Sequence, residues 1–484
     1  MRRVGLLKTF SCVEAALPLY LPDGFSPSKR SGDHARITNH GGTSMRSERR
    51  FKFSCLGLLV LIALSGRAFS SDTYVVVGPT YNCVGHYAWV PTINQALAAV
   101  KGAKKAVIAV CPGTYPEQVV ITQQNLTLVG VADTYSHDSA VIMPPATGSV
   151  TNTVDLDTGL NIAAQILVQN ATGASISNIT IDGTGNGIGD CNTDLPGILF
   201  QNASGTVNHV VVQNQIPGGS LSNCSTGESV YVQTSTGNVS TVTVENSLLQ
   251  NYNKNGITGN DPGTTMTLSG NYIVGSGVVS GGAVQNGIQL GYGATGKIST
   301  NTVSDNNNDG PPYAADILLI DTAENGGISV SNNILSNSQL PLGLETDFAN
   351  GPSEYGDGVT VTGNKVFGAS IYDGIDVCTN GNKVTTNLIL NSAESGVHLD
   401  ASCGATYGGG TLFTGNNNTL TGNTMEGGSC AGILEDTGTS GNSIVSENYY
   451  AVPLTLTSST SSCPIATGPA HTKAKTALKF SPKK

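Results

Sequence analysis

Residues 359–366 read VTVTGNKV. Related phrases return along the chain: LSGN at 268–271, VSNN at 330–333, VTTN at 384–387 and LTGN at 420–423. Aligning on the last Asn gives Asn178, Asn246, Asn271, Asn301, Asn333, Asn364, Asn387, Asn423 and Asn448. After the first gap the steps run between 23 and 36 residues, a period that marks a solenoid. Each unit offers three short extended pieces. One is the V-x-V run that ends at the Asn. A second follows it, as in NYIV (271–274), NKVF (364–367) and NLIL (387–390). The third begins with Gly, as in GILF (197–200), GIQL (287–290), GIDV (374–377) and GVHL (396–399). Such pieces alternate apolar and polar residues with period 2. Three strands per turn, stacked in register, predict an all-β fold, a parallel β-helix. The recurring Asn is expected at a sharp corner, because Asn tolerates left-handed backbone angles. Its amide is also expected to hydrogen-bond the Asn of the next coil.

The composition agrees. Of 484 residues, 61 are Gly and only 6% are aromatic, with a single Trp, Trp89. That balance favours short strands and turns over helices. An exception is PTINQALAAV (91–100), which sets Ile93, Leu97 and Val100 on one helical face after Pro91 and Thr92. A short helix there would cap the open end of the solenoid.

Residues 51–64, FKFSCLGLLVLIAL, form a long apolar run, shorter than the about 20 residues a bilayer span needs. Arg46, Arg49, Arg50 and Lys52 flank it on one side and Ala68, Ser70 and Ser71 on the other. This is the pattern of a secretory signal over 45–70. Residues 1–44 carry no core pattern and are expected to be a non-native or disordered extension ahead of Met45. The remaining organisation expected is a cap and first coil over 71–130, the β-helix over 131–455 and a disordered Lys-rich tail over 456–484. The chain is expected to be secreted or periplasmic, with no membrane span after signal removal, and to be a monomer.

From Phe69 onward there is no Arg, and 12 Lys stand against 29 Asp and Glu, a net charge of −17. A surface that acidic repels nucleic acid. Eight cysteines follow the signal in adjacent couples, Cys83 and Cys111, Cys191 and Cys224, Cys378 and Cys403, Cys430 and Cys463, separated by 28, 33, 25 and 33 residues. In an exported protein these read as disulfides. Each gap is about one repeat, so partners would sit on neighbouring coils. Cys403 with Cys430 is a competing pairing.

TINQALAAV (92–100), AVIAVCPGTYPEQVVI (106–121) and LTLVG (126–130) closely resemble the N-terminal opening of pectinesterases and of the wider pectin-lyase-like superfamily of right-handed β-helices. The coils that follow resemble that superfamily's repeats, so the likeness covers most of residues 75–450. It implies the fold and a carbohydrate partner. The Arg on which pectinesterases, Arg-base pectate lyases and the Arg-x-Lys pair of polygalacturonases depend has no counterpart after residue 67. CNTDLPG (191–197) echoes the polygalacturonase Asn-Thr-Asp motif, without its paired Asp.

The Gly-initiated strands carry the chemistry. Aligned on Ile288, Ile317, Leu344, Ile375, Val397 and Ile433, they point Glu345, Asp347, Asp376, His398 and Asp400 outward on successive rungs. Neighbouring rungs are about 4.8 Å apart. Stacked carboxylates repel, so such a column implies a cation, a retained proton or a function. Asp376 and Asp400 would lie roughly 8 Å apart at the backbone, within reach of an inverting glycosidase pair. His398 would tune either acid, and Tyr372 would offer a surface for sugar stacking. Outward acids are equally the ordinary surface of an acidic solenoid. DNNNDG (305–310) places Asp305, Asn307 and Asp309 at alternate positions before Gly310, with Asp316 in twelfth place, a weak Ca2+ pattern; an Asn-rich corner explains it as well.

Three functions are compatible: a glycoside hydrolase working on a polysaccharide through the acidic face, a non-catalytic adhesion or glycan-binding solenoid, and a polysaccharide lyase with Lys254 as base. The absence of Arg favours uncharged over anionic glycans.

Overall fold

The computed structural model describes residues 72–132, 139–278, 281–309, 313–323, 327–346, 356–401, 403, 414–428 and 430–450, with the backbone of 456–458. The three pieces of each repeat become three parallel sheets. Sheet I holds the V-x-V strands, 14 in all, ending at Ser443–Val445. Sheet II holds the 12 strands that follow the corner, from Gly113–Pro116 to Asn448–Tyr450. Sheet III holds 12 strands, the Gly-initiated ones among them, from Val119–Ile121 to Leu456–Ser458. The chain is a right-handed parallel β-helix. Leu456–Ser458, expected in the tail, instead adds a strand in register with Ala431–Asp436.

Period 2 fills the interior. In sheet III, Ile288, Ile317, Leu342, Ile375, Val397 and Ile433 are in register and fully buried. Each such side chain contributes about 1.5–3 kcal/mol on leaving water. This column corrects the expected alignment at one strand. Leu342, not Leu344, stacks between Ile317 and Ile375. The slip is two residues, so facing is preserved while Glu345 changes column.

The corner also departs from expectation. The left-handed residue is the one before the recurring Asn: Gly270 (φ 66°), Thr300 (57°), Asn332 (55°), Gly363 (66°), Thr386 (55°) and Gly422 (68°). The Asn itself turns inward, buried, as a ladder. Asn271, Asn301, Asn333, Asn364 and Asn387 each donate from Nδ2 to the next Oδ1, the last to Asn423, at 2.9–3.0 Å. Each of these Nδ2 groups also donates to a sheet I carbonyl, for example Asn364 to Val330 O at 2.9 Å. Asn178 (φ 55°) and Asn246 (φ 51°) are left-handed corner residues rather than ladder members. At the far end Glu447 takes the ladder place, accepting from Asn423 at 3.1 Å, so Asn448 lies one residue beyond.

The capping helix forms over Ile93–Ala99 with Thr92 as N-cap. Both oxygens of Glu117 accept from its first backbone N–H groups, Ile93 N at 2.8 Å and Asn94 N at 2.9 Å, where the helix dipole favours an anion. Ile93, Ala96 and Val100 are buried, with Leu97 packed alongside.

Three cysteine couples are bonded as spaced: Cys83–Cys111, Cys191–Cys224 and Cys378–Cys403, with Cα separations of 5.7, 5.1 and 5.8 Å. Cys430 is also in a disulfide; Cys463 lies outside the described residues. A small fourth sheet, Thr153–Val154, Asn161–Ile162 and Thr193–Asp194, roofs the outer face of sheet III at its N-terminal end. Ile162 and Ala164 bury Leu167, Leu199 and Tyr231 there.

Candidate active site

Four adjacent strands of sheet III, Leu340–Glu345, Ile375–Val377, Ser395–Leu399 and Ala431–Asp436, gather the acids. Asp376 and His398 are register partners. Two residues farther along each strand come Glu345, Cys378, Asp400 and Asp436. Glu345 therefore stands diagonally to Asp376 rather than directly beside it. Asp347 lies outside the described residues.

His398 is the hub. It is 5% exposed. Its Nδ1 lies 3.2 Å from Asp373 Oδ2 and 3.9 Å from Asp376 Oδ1, and its Nε2 lies 3.4 Å from Asp436 Oδ1. Asp373 is fixed in turn by Ser395, whose backbone N donates to Oδ1 at 2.9 Å and whose hydroxyl donates to the same oxygen. Gly374 makes this approach possible: a Cβ there would stand 2.4 Å from Ile389 and 2.8 Å from Gly396 O. An Asp before Gly sits where Asn255 and Asn286 sit on earlier coils. That was the available signal for Asp373, and the outward-face alignment starts after it. Asp436, which the outward-face alignment left out, belongs to the cluster.

Burial alone would lower the His398 pKa. The charge and hydrogen bond of Asp373, then Asp436 and Asp376, outweigh it and hold the imidazole well above its ordinary value. Burial would raise Asp436, but contact with His398 overrides that and keeps it low. Asp376 is pushed well above the carboxylate range, first by burial, then by the charges of Glu345 and Asp400. Glu345 is pushed up to about 7 by burial and then Asp400, against a hydrogen bond from Asp376. Glu394, which sequence reasoning missed, is pushed up to about 7 by burial and then Asp373, partly offset by His398. Facing oxygens of Asp376 and Asp400 lie within 4.8 Å, much closer than the expected backbone separation.

Tyr372 adjoins the cluster and meets Tyr313 edge-on, with ring centroids 3.8 Å apart. Cys378 Sγ lies 3.2 Å from Glu345 Oε2. Its bond to Cys403 leaves neither sulfur a thiolate for a metal. Among the described residues, the clusters of acid, imidazole and sulfur donors lie on this face, and none includes Asp305 or Asp309. Asp305 accepts from Ser304 Oγ, Asn307 donates to Asn337 O and Asp309 accepts from Gly281 N. Asp316 turns inward to Asn306 and Ser338.

Lys254 is pushed down to about 8 by burial, against the charge of Glu228. It precedes the strand Asn255–Asn260, five strand steps from His398. That is about 24 Å, so the two do not act on one bond. Asp194, from the CNTDLPG motif, accepts from Leu195 N at 2.7 Å and Gly227 N at 2.8 Å, and so ties down the roof.

Comparison with solved structures places this architecture among known β-helices. The A-module of the mannuronan C-5 epimerase AlgE4 from Azotobacter vinelandii is 15% identical, with a TM-score of 0.48; the match covers 76% of this chain and 94% of that one. The Dettilon tailspike protein is 14% identical with a TM-score of 0.50, over 74% of this chain and 64% of that one. PfbA, a surface adhesin of Streptococcus pneumoniae, is 13% identical with a TM-score of 0.43, over 71% and 87%. The likeness is one of fold. It extends to the parallel β-helix architecture and singles out no specific family. No protein-family model matches the sequence, and no curated protein matches it. Among the described residues no helix is long and apolar enough to cross a membrane.

Proposed function

We propose that the protein is an exported carbohydrate-active enzyme that hydrolyses glycosidic bonds in an uncharged polysaccharide, with Asp376 as general acid and Asp400 as nucleophile. The observation that carries this reading is the carboxyl arrangement. Burial and the charges of Glu345 and Asp400 push Asp376 well above the carboxylate range, and one of its oxygens, Oδ1, is buried with no hydrogen-bond partner. A protonated carboxyl beside an ionised one is what glycosidic cleavage needs. One oxygen of Asp376 lies within 4.8 Å of one of Asp400, which favours the short carboxyl separation of retaining enzymes, about 5–5.5 Å, over the about 6.5–9.5 Å of inverting ones. The ring pair Tyr313–Tyr372 supplies an apolar face for a sugar. The disulfides fit an oxidising, extracytoplasmic compartment.

The test is a reducing-end assay of the secreted protein on a panel of neutral and acidic polysaccharides, with product anomers followed by NMR. Release of neutral oligosaccharides with retained configuration supports the reading. Binding without product would replace it with the adhesion reading. Unsaturated products would replace it with a lyase, for which Lys254 is the base.

A further inference from the structure

The Asp373–His398–Asp436 line ends on two buried atoms. Asp373 Oδ2 faces His398 Nδ1 at 3.2 Å, and an acceptor there places a ring hydrogen on Nδ1. Nε2 faces Asp436 Oδ1 at 3.4 Å. Neither His398 Nε2 nor Asp436 Oδ1 makes a hydrogen bond of acceptable geometry, and both are buried. His398, Asp436 and Asp400 each bring one donor atom within 4.8 Å of the other two.

We propose that His398 Nε2, Asp436 Oδ1 and Asp400 bind a divalent transition-metal ion, with Asp373 as the residue that positions the imidazole. A carboxylate on the far nitrogen of a ligating His is the usual way its tautomer and ring plane are set. Two donors at about 2.0–2.2 Å from a tetrahedral Zn2+ stand about 3.4 Å apart, which is the spacing of Nε2 and Asp436 Oδ1. One imidazole with two carboxylates, and sulfurs locked in a disulfide, suits Zn2+ or Mn2+ better than Ca2+ with its all-oxygen shell. The site stands apart from the hydrolytic reading in its binding. It bears on that reading in one respect: an ion on Asp400 takes the nucleophile out of the pair, so Zn2+ inhibits hydrolysis.

The experiment titrates the chelator-stripped secreted protein with Zn2+, and separately Mn2+, by calorimetry, with bound metal counted by mass spectrometry. One equivalent is expected for wild type. Asp436→Asn and His398→Gln are expected to lose stoichiometric binding, and Asp373→Asn to weaken it about 10–100-fold. Circular dichroism checks that each variant is folded. Wild type that takes up neither ion, or folded Asp436→Asn that binds as wild type does, overturns the proposal. Should His398→Gln fail to fold, Asp436→Asn decides alone. Stoichiometric binding lost in Asp436→Asn supports the site even where no polysaccharide is cleaved, which separates its fate from that of the hydrolase reading.

Discussion

Asp373 reaches His398 across one coil step, Oδ2 to Nδ1 at 3.2 Å, with both side chains almost fully buried. The pair lies outside the apolar column yet is as enclosed as the core. Breaking a buried ion pair by removing one partner costs about 3–5 kcal/mol. Asp373→Asn is therefore expected to lower unfolding free energy by about that amount, read from urea denaturation. A loss below about 1 kcal/mol would mean that the pair is solvated in solution.

Asp376 and Asp400 should behave in the opposite way. Asp376→Asn and Asp400→Asn are each expected to reduce turnover by at least about 100-fold, the usual range for a lost general acid or more. Asp376→Asn should leave the melting temperature equal or higher, because it removes a carboxyl whose ionisation is opposed by burial, Glu345 and Asp400. Full activity in both variants would end the catalytic reading.

The ladder carries a separate prediction. Asn364 Oδ1 accepts from both Asn333 N and Asn333 Nδ2, and its Nδ2 donates to Val330 O and Asn387 Oδ1. Asn364→Ala strands several buried groups at about 1–3 kcal/mol each. The expected loss is about 3 kcal/mol or more by denaturant unfolding. Asn364→Asp should also destabilise, because it keeps the acceptor and loses the donors.

A pH effect is expected away from the site. Asp261 accepts from Thr234 N at 3.0 Å and faces Asp157 and Asp155 of the roof. Burial, then the hydrogen bond and charge of Asp157, push it up to about 7. The folded state thus holds this proton more tightly than the unfolded chain does. Its contribution is greatest below about pH 4 and declines as pH rises to about 7, at no more than about 1.4 kcal/mol per pH unit. Wild type minus Asp261→Asn should show that fall in unfolding free energy. A difference independent of pH would contradict it.

The solenoid was legible in the sequence because period 2 and the recurring Asn are local signals repeated many times. The facing of Asp376, His398 and Asp400 followed from the same alternation. What alternation does not encode is the choice between registers two residues apart, since both keep apolar residues inward. The strand Leu340–Glu345 offers Leu342 and Leu344 equally, and the wrong choice moved Glu345 by one column. Asp373 was missed for a different reason. It sits ahead of its strand, where it reaches His398 only because Gly374 lets two coils close together. The corner was assigned to Asn rather than its predecessor because Gly, Thr and Asn all occupy that earlier place, so no single residue type marks it.

The Asn spine links coils whose repeat lengths differ widely, 30, 32, 31, 23 and 36 residues from Asn271 to Asn423, with no change in its bonds. The coil-to-coil joint is thus indifferent to how much chain hangs between joints. Length varies between the strands and not in the spine. A protein built this way divides into two parts: an axle that sets spacing, and spokes whose length the axle does not constrain. Changing the length of chain between Leu399 and Thr419 should leave the spine unbroken through Asn423.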